Sequence, residues 1–230
     1  MPPSSTATSR GSKAASKVRR TQAERSAATR TKILDATVEC INERGLAGTT
    51  TEEICQRAGV TWGAIQHHFG DKLAIILGVL DRGVTDLTGS LDGISLSGHS
   101  IEERVGLFVD ASWEVWNRPV YRGFIEIFLS ARGDSVMAGS LQGYREKFRE
   151  LTDQTWEAMF GDFGISSDRI VKAGQLSFAT LSGLALIPLF VKNRIFAELT
   201  LTGEEMALHE RIYRPSLATL KRNLVEILSC

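Results

Sequence analysis

Two threonines on either side of a glycine constrain the fold of this chain more than any other feature. Thr50 and Glu53 have the Ser/Thr-x-x-Glu spacing of a capping box, which satisfies the free amides at the start of a helix. Gly59 can adopt the positive φ of a tight turn, and Thr61 is a good cap for a second helix. Residues 50 to 72 therefore predict two short helices joined by a turn, followed by the start of another helix.

The apolar residues of this segment show which faces pack inward. Ile54 and Ala58 lie four residues apart on the first helix, and Ile65 and Phe69 have the same spacing on the second. The faces that they do not use carry Trp62, Gly63, Gln66 and His67. A helix of about nine residues is roughly 13 Å long, which suits a major groove about 12 Å wide. The segment favours a helix-turn-helix with residues 61–69 as the recognition helix.

The pattern is more specific than a bare helix-turn-helix. Its distinctive residues are Gly59-Val60-Thr61, Gly63, the His68-Phe69 pair and Asp71-Lys72. Together with the Gly45–Thr50 segment upstream, they resemble the signature of TetR/AcrR-type transcriptional repressors. In that family an aromatic-His-Phe sequence closes the recognition helix, and a lysine begins the next helix. The resemblance covers about residues 25 to 75, and the remainder agrees only in length and helical character.

This resemblance and the exposed faces together predict the residues that contact DNA. They are Thr50, Thr51, Thr61, Trp62, Gly63, Ala64, Gln66, His67, His68 and Lys72. The resemblance implies that His68 reaches a phosphate, and Lys72 at a helix start is well placed for the same purpose. His67 and His68 diverge by about 100° on a helix, so they cannot chelate one metal ion from a single turn.

Several of these residues have a second interpretation. Trp62 either presses on a thymine methyl or the sugar backbone, or packs sideways on the fourth helix. Gln66, where the family often has tyrosine, can bond a phosphate or an adenine edge. His68 can instead cap the helix end, Gly63 and Ala64 can simply ease packing, and Thr50 and Thr51 can cap their helix as well as touch phosphate.

Charge is unevenly distributed along a chain whose formal net charge is zero. Residues 1 to 32 hold eight basic side chains and one acid, 8 − 1 = +7, whereas the rest holds 19 basic and 26 acidic side chains, 19 − 26 = −7. A basic arm on an otherwise acidic chain indicates a polyanion partner at that end, although a disordered, solvated leader has the same composition.

The cysteines and the apolar segments indicate the compartment. Cys40, Cys55 and Cys230 are odd in number and lack metal-type spacing, which is typical of a reducing, cytoplasmic environment. The leader has no apolar stretch of a signal peptide, and it resembles a mitochondrial transit peptide only faintly. The run from Phe178 to Val191 is too short to span a bilayer and contains Pro188, so we expect a buried helix and no membrane segment.

Periodicity predicts an all-α fold of 230 residues with two helical parts. We expect a disordered basic arm at 1–24, a three-helix DNA-binding domain at 25–72, a fourth helix leading on from 72, and an effector-binding and dimerisation domain at 73–230. Besides the two short helices of the helix-turn-helix, we expect helices over residues 26–44, 72–87, 100–119, 120–131, 134–160, 168–192 and 202–228. Capping boxes at Ser100 and Thr202 open two of them, and Pro215 should kink or split the last.

The C-terminal aromatics have two interpretations. Most are expected to form ordinary core. The resemblance implies that some line an inducer pocket, for which the candidates are Trp113, Asn117, Phe124, Phe128, Gln175 and Phe178. Glu126 and Ser182 are further candidates for its polar contacts. The resemblance also implies that the last two long helices pair with those of a second subunit, and small residues such as Gly174 and Gly183 would let them approach.

These features predict a cytoplasmic, homodimeric repressor that binds a palindromic double-stranded operator and responds to a small, largely apolar effector. An alternative is a DNA-binding activator or an architectural regulator without a ligand. An all-helical enzyme is a weaker alternative, because the sequence has no Gly-rich phosphate loop, no metal-type His spacing and no Gly-x-Ser-x-Gly elbow. We expect no catalytic residues, no cofactor and no metal.

Overall fold

The computed structural model describes residues 21–90, 96–133, 135–192 and 209–229. Within these ranges the chain is helical and has no β-strand, which confirms the all-α prediction. The expectations for residues 1–20, for the capping box at Thr202 and for Cys230 lie outside the described residues.

The first helix, α1 (Gln22–Gly48), begins earlier than the sequence analysis placed it. Thr21 and Glu24 form a reciprocal capping box, in which the Glu24 amide donates to Thr21 Oγ1 over 3.2 Å and the Thr21 amide donates to Glu24 Oε2 over 2.7 Å. This Thr-x-x-Glu spacing makes residues 22–24 helical, whereas the sequence analysis assigned them to a disordered arm. The regular helix is interrupted at Gly45, where φ is 71° and ψ is 170°.

Three further helices complete the N-terminal part: α2 (Thr51–Ala58), α3 (Trp62–His68) and α4 (Lys72–Gly89). Gly59 has a φ of 63° and ends α2 in the left-handed conformation, as predicted. We call α1 to α3 and the first half of α4 the head. Its core is a cluster of Ile33, Ala36, Cys40, Ile54, Ala58, Ile65 and Ile75.

The remaining described helices form the body. They are α5 (Ile101–Trp116), α6 (Pro119–Ser130), α7 (Ser135–Ser140), α8 (Gln142–Phe160), α9 (Ser167–Lys192) and α10 (Arg214–Ser229). The Ser100–Glu103 capping box that opens α5 is confirmed in both directions. The single helix expected over 134–160 is instead two, because the chain breaks at Leu141, whose side chain is fully buried.

Pro215 has the expected effect on the last helix. The segment His209–Tyr213 is a π-helical turn, and the regular helix α10 starts at Arg214. Proline has no amide proton to donate, so it is tolerated in the first turn of a helix but not in its interior.

The head and the body are packed together through α6, which lies against both α1 and α4. Asn42 on α1 donates from Nδ2 to the carbonyl oxygen of Pro119 over 2.9 Å. A Cβ at Gly83 of α4 would lie 3.2 Å from a ring carbon of Phe124, so a larger residue here would require that ring to shift. The second half of α4 therefore belongs structurally to the body.

The long apolar helix α9 is not the buried helix that the sequence analysis expected. Its segment Ser167–Phe190 is long and apolar enough to cross a membrane by length and composition, yet only 28% of its most apolar window is buried. Val171 is 50% exposed and Phe178 is 49% exposed, and Gln175, Ala179 and Gly183 are also exposed. One side of α9 packs on the body, and the opposite side presents an apolar stripe to solvent.

Candidate nucleic-acid interface and ligand cavity

The short helix α3 is attached to the head by one face and exposed on the others. Ile65 is fully buried in the head cluster. Trp62 is 45% exposed, Thr61, Gly63, Gln66 and His67 are exposed, and Ala64 is half-buried. A Cβ on Gly63 would meet nothing closer than Thr61 Oγ1 at 3.8 Å. The surface of α3 is therefore open to a large partner along most of its length.

Two threonines hold the N-termini of the helix-turn-helix. Thr50 Oγ1 accepts from the Glu53 amide over 3.3 Å, and Thr61 Oγ1 accepts from the Ala64 amide over 3.2 Å. A hydroxyl that accepts in this way can still donate its own proton to a phosphate oxygen. The predicted capping box at Thr50 is only half formed, because the Glu53 carboxylate turns away to pair with Arg44 at 3.1 Å and Arg57 at 3.2 Å.

Arg57 ties α2 to α1 on the side of the head that carries these acids. Its guanidinium bonds both carboxylate oxygens of Glu43 and also reaches Glu53. The hydrogen bonds that Arg57 donates to Glu43 raise the pKa of Arg57 further above its already high value. Because these acids are on α1 and α2, they fix the angle between the two helices without occupying the exposed faces of α3.

The C-terminal end of α3 is held by Arg30, a residue for which the sequence analysis predicted no such role. Its guanidinium donates to the carbonyl oxygen of His68 and lies 4.2 Å from the centre of the Phe69 ring. Burial, followed by the neighbouring His67 and Arg30, lowers the pKa of His68 below its usual value. His68 is half-buried, and its ring centre lies 5.1 Å from that of His67.

A groove beside this end of α3 brings another basic residue into the candidate interface. It is lined by Gln22, Ala23, Arg25, Ser26, Thr29, His67 and His68. The sequence indicates only that Arg25 belongs to a basic segment, because it does not show that the start of α1 lies beside the end of α3. The capping box at Thr21 is the sequence feature that would have placed Arg25 on an ordered helix.

Asp71 and Lys72 form the start of α4, directly after the helix-turn-helix. The Asp71 carboxylate accepts from the Ala74 amide over 2.7 Å, as expected of a cap. It therefore offsets the positive helix end that was expected to help Lys72 bind phosphate. Lys72 is half-buried, and Thr51 at the start of α2 is half-buried as well.

A small cavity of about 50 Å³ lies inside the body, between α4, α5, α8 and α9. Its lining consists of Leu87, Thr88, Phe108, Ser112, Trp116, Phe148, Leu151, Thr152, Thr155, Trp156, Gly174, Ser177, Phe178 and Leu181. The lining is mainly apolar and aromatic, with a few hydroxyls, which is the usual character of a small-molecule site.

Of the six residues predicted to line a pocket, the structure places only Phe178 at this cavity. Trp113 packs on Tyr213 with ring centres 4.8 Å apart, and Phe124 packs between Tyr121 and Phe128. Asn117 and Gln175 are exposed. Which aromatic residues face the cavity depends on how four helices pack, and the sequence does not show this.

The described helices contain two free thiols and no candidate metal site. In the ranges covered by the structure, no group of three or more His, Cys, Asp or Glu side chains is placed to hold a metal ion. Cys40 and Cys55 are free thiols, and burial raises the pKa of Cys40. Cys40 is a core residue of the head, whereas Cys55 is only half-buried.

The head is a helix-turn-helix with an exposed second helix, and it defines a DNA-binding transcriptional regulator. Residues 33–79 match the model of the bacterial regulatory proteins, tetR family. The chain is 25% identical over 176 residues to the HTH-type transcriptional regulator CymR of Pseudomonas putida, covering 76% of this chain and 87% of that protein. Residues 33–79 therefore carry a helix-turn-helix of the TetR type.

Two further likenesses differ in what they cover. The chain is 36% identical over 91 residues to the HTH-type transcriptional regulator BetI of Escherichia coli, but this match spans only 37% of the chain and 45% of that relative. A transcriptional regulator from Rhodococcus sp. Rha1 has the same fold, with a TM-score of 0.61, 21% identity, and coverage of 87% of this chain and 96% of that one. Such relatives are transcriptional regulators and not enzymes, as predicted.

Proposed function

We propose that this regulator is a cytoplasmic repressor that binds a palindromic operator as a homodimer and releases it when a small, largely apolar effector enters the body. The domain division that supports this proposal is a DNA-binding part at residues 25–72, extended at its start to Gln22, and an effector-binding and dimerisation part from 73 onward. The observation that carries the proposal is α3, a short helix seated by Ile65 with its remaining faces open.

DNA contacts are proposed from three neighbouring parts of the head. The exposed face of α3 supplies Trp62, Gly63, Gln66 and His67 for the major groove, with Ala64 beside them. The helix starts supply Thr50, Thr51, Thr61 and Lys72 for phosphates, and His68 joins them at the end of α3. We add Arg25 to this set, because it lines the same groove as His67 and His68. Phosphate contacts would position the head, and base contacts would select the sequence.

The homodimer is proposed to form through the exposed side of α9, together with α10. Val171, Gln175, Phe178 and Gly183 follow one another at intervals of three to five residues, so they lie along one side of the helix. Val171 and Phe178 are large apolar side chains exposed on this side, and exposed apolar patches are typical of protein interfaces. Covering this stripe with its copy in a second subunit would bury it and place two heads on one duplex.

Helix α4 provides a physical connection between the cavity and the DNA surface. Its first residue, Lys72, adjoins α3, and Leu87 and Thr88 near its end line the cavity. An 18-residue helix is about 27 Å long and moves as a unit. A ligand that displaces the end of α4 would shift the start of α4 and change the spacing of the two heads. The ligand can shift the equilibrium between the two arrangements only by the difference in its binding free energy for them.

The proposal is tested by selecting bound sequences from a random duplex pool with the full-length protein. A palindrome with half-sites about 34 Å apart is expected for a dimer with two recognition helices. Single half-sites without symmetry, or no enrichment, would contradict the dimeric docking. Ligand-free activators and architectural regulators would also select DNA, but no small molecule that stabilises the protein in thermal-shift screening would release it.

A further inference from the structure

A groove at the junction of the head and the body lies beside the start of α4. Its volume is about 450 Å³, and small-molecule sites usually have volumes of about 300–1,000 Å³. It is bounded by the end of α1, the start of α4, the end of α6 and α7. The lining residues are Leu46, Ala47, Lys72, Leu73, Ile76, Ser130, Val136 and Met137. The groove shares none of them with the cavity inside the body.

Most of the side chains in this groove are apolar, and several of them are in contact with water. Val136 is 71% exposed, Ala47 is exposed, and Leu73 and Met137 are half-buried. Ile76 is buried beneath them in the core of the molecule. A ligand with an apolar part would remove this surface from water, and that removal is the main favourable term in binding to such a site.

Lys72 is the one charged residue among those that line the groove, and it is half-buried. In the part of the chain that the structure describes, its ammonium has no carboxylate partner. The nearest acid in the sequence, Asp71, accepts from the Ala74 amide over 2.7 Å. Glu126, next to the groove, accepts from the Ser130 hydroxyl over 3.2 Å. A partly desolvated, unpaired cation favours an anion beside it.

These groups determine the chemistry of a matching ligand. A carboxylate would form a charge-assisted hydrogen bond with Lys72, whereas a neutral hydroxyl would form only a weaker one. An ammonium group would be repelled. The lining has one other polar side chain, Ser130, and its proton is already donated to Glu126. The rest of the ligand is therefore expected to be apolar.

We propose that this groove is a second ligand site, which binds a small apolar molecule with one carboxylate, and that the carboxylate pairs with Lys72. Because Lys72 is also proposed to bind a DNA phosphate, the ligand and the operator would compete for the same ammonium. Only this competition rests on the proposed function. Binding of the carboxylate in the groove does not depend on it.

Three probes with the same alkyl chain test the chemistry of the site: octanoate, octan-1-ol and octylammonium. Their binding to the full-length protein without DNA is measured by titration calorimetry at neutral pH and constant ionic strength. We expect octanoate to bind about tenfold more tightly than octan-1-ol, the gain from one hydrogen bond to a charged group. Octylammonium is expected to bind least.

Substitution of the lysine assigns this preference to one ammonium. Lys72→Met removes the charge and keeps an apolar side chain, so octanoate should lose its advantage while octan-1-ol still binds. Lys147→Met is the matched control, because it also removes one positive charge. Lys147 is on α8, pairs with Asp81 at 3.7 Å, and is outside the groove. This control should keep the wild-type preference.

A charge reversal on the opposite side of the groove tests where the ligand lies. Val136 is on α7, whereas Lys72 is on α4, and its high exposure allows a polar substitution without a folding defect. Val136→Glu should weaken octanoate binding severalfold and strengthen octylammonium binding, because the new carboxylate would lie beside the bound ligand. A carboxylate held by Lys72 outside the groove would not respond in this way.

Four outcomes would overturn the inference. They are equal affinity for octanoate and octan-1-ol, a preference that survives in Lys72→Met, octanoate affinity that is unchanged in Val136→Glu, and no binding of any probe at its solubility limit.

A separate gel-shift titration on a selected duplex keeps the two proposals distinguishable. Octanoate should weaken DNA binding by the wild type and have no such effect on Lys72→Met. If octanoate binds through Lys72 but leaves DNA affinity unchanged, the site is correct and the competition is wrong. If the random pool yields no palindrome, the proposed function fails, and the calorimetric result alone decides the groove.

Discussion

The head and the body of this regulator satisfy their buried polar groups to different degrees. All the buried side-chain polar atoms that lack partners in the described ranges are in the body: on His99, Arg104, Ser112, Tyr121, Arg169 and Ser177. In the head, by contrast, caps, the Arg57 network and the Arg30 contacts use the polar groups of α1 to α3. The head also has a small continuous core, whereas the body contains a cavity.

This difference fits two kinds of task. Reading a DNA sequence requires side chains held at fixed positions, which a fully bonded and closely packed head provides. Responding to a ligand requires a region with more than one arrangement of similar free energy, and unfilled space with unpaired hydroxyls is typical of such a region. Four predictions test whether the contrast is real.

The largest effect is expected for truncation of the residue that seats α3. Ile65→Ala should lower the free energy of unfolding by about 2–5 kcal/mol, because Ile65 is fully buried among close neighbours. Leu181→Ala should cost less, because Leu181 already faces the cavity and loses fewer contacts. Denaturant unfolding at matched protein concentration measures both. A greater loss at Leu181 would contradict the proposed difference in packing.

A glycine at the junction between head and body should show the next largest effect. Gly45 has φ 71° and ψ 170°, a conformation that side chains rarely adopt, and an added Cβ would lie 3.2 Å from Glu126 Oε1. Gly45→Ala should therefore destabilise the protein by about 1–3 kcal/mol. Gly106→Ala is the control within α5, where a Cβ meets nothing within 4 Å. Gly106→Ala should raise the free energy of unfolding by about 0.5–1 kcal/mol. If both substitutions change the free energy of unfolding in the same direction, the argument about the Gly45 backbone is wrong.

Phosphate and base contacts are separated by a pair of substitutions on the head. Lys72→Ala should weaken binding to all duplexes and reduce the slope of log affinity against log salt by about 1. Gln66→Ala should instead change the preferred sequence, by about 1–3 kcal/mol at the affected base pair. Gel-shift titrations at several salt concentrations distinguish the two. If both variants retain wild-type affinity at matched salt, the docking proposed for α3 and α4 is wrong.

The smallest effect concerns pH. Burial first, and then His67 and Arg30, lowers the pKa of His68, so the folded head favours its neutral form. Stability from this residue is complete above the ordinary histidine pKa of about 6.5 and is lost as the pH falls through the lower folded value. A phosphate beside His68 would stabilise its cation, so DNA affinity should increase as the pH falls from about 7.5 to 6, by less than tenfold per pH unit.

His68→Gln should remove this pH dependence of DNA affinity and the matching loss of stability at low pH. His67→Gln is the control, because His67 is exposed on the neighbouring position of α3. Affinity and unfolding are measured at constant ionic strength across the pH range. If His68→Gln leaves the profile of affinity unchanged, His68 does not bind phosphate as a cation.

Sequence reasoning predicted the head far better than the cavity, and the reason is physical. Thr50, Gly59 and Thr61 act on backbone groups within a few residues, so their effects can be deduced from spacing alone. The missed start of α1 was also local, since Thr21 and Glu24 show it. Ser112 and Ser177, by contrast, come together only when α5 and α9 pack, and no spacing along the chain shows that they meet.

The outer face of α9 could not be assigned from composition for a similar reason. A helix rich in leucine, alanine and glycine looks the same in the sequence whether its neighbours belong to its own chain or to another. The expectation of a buried helix over Phe178–Val191 failed because the described chain has too few helices to surround α9 on all sides.

Phe178 lies at the cavity and is also half exposed on the stripe proposed to meet the second subunit. If α9 pairs with its copy, one aromatic ring separates the ligand of each subunit from its neighbour. A ligand that rotates this ring in one subunit would change the ligand affinity of the cavity in the other subunit. The dose response of DNA release should then differ in steepness from that of two independent sites.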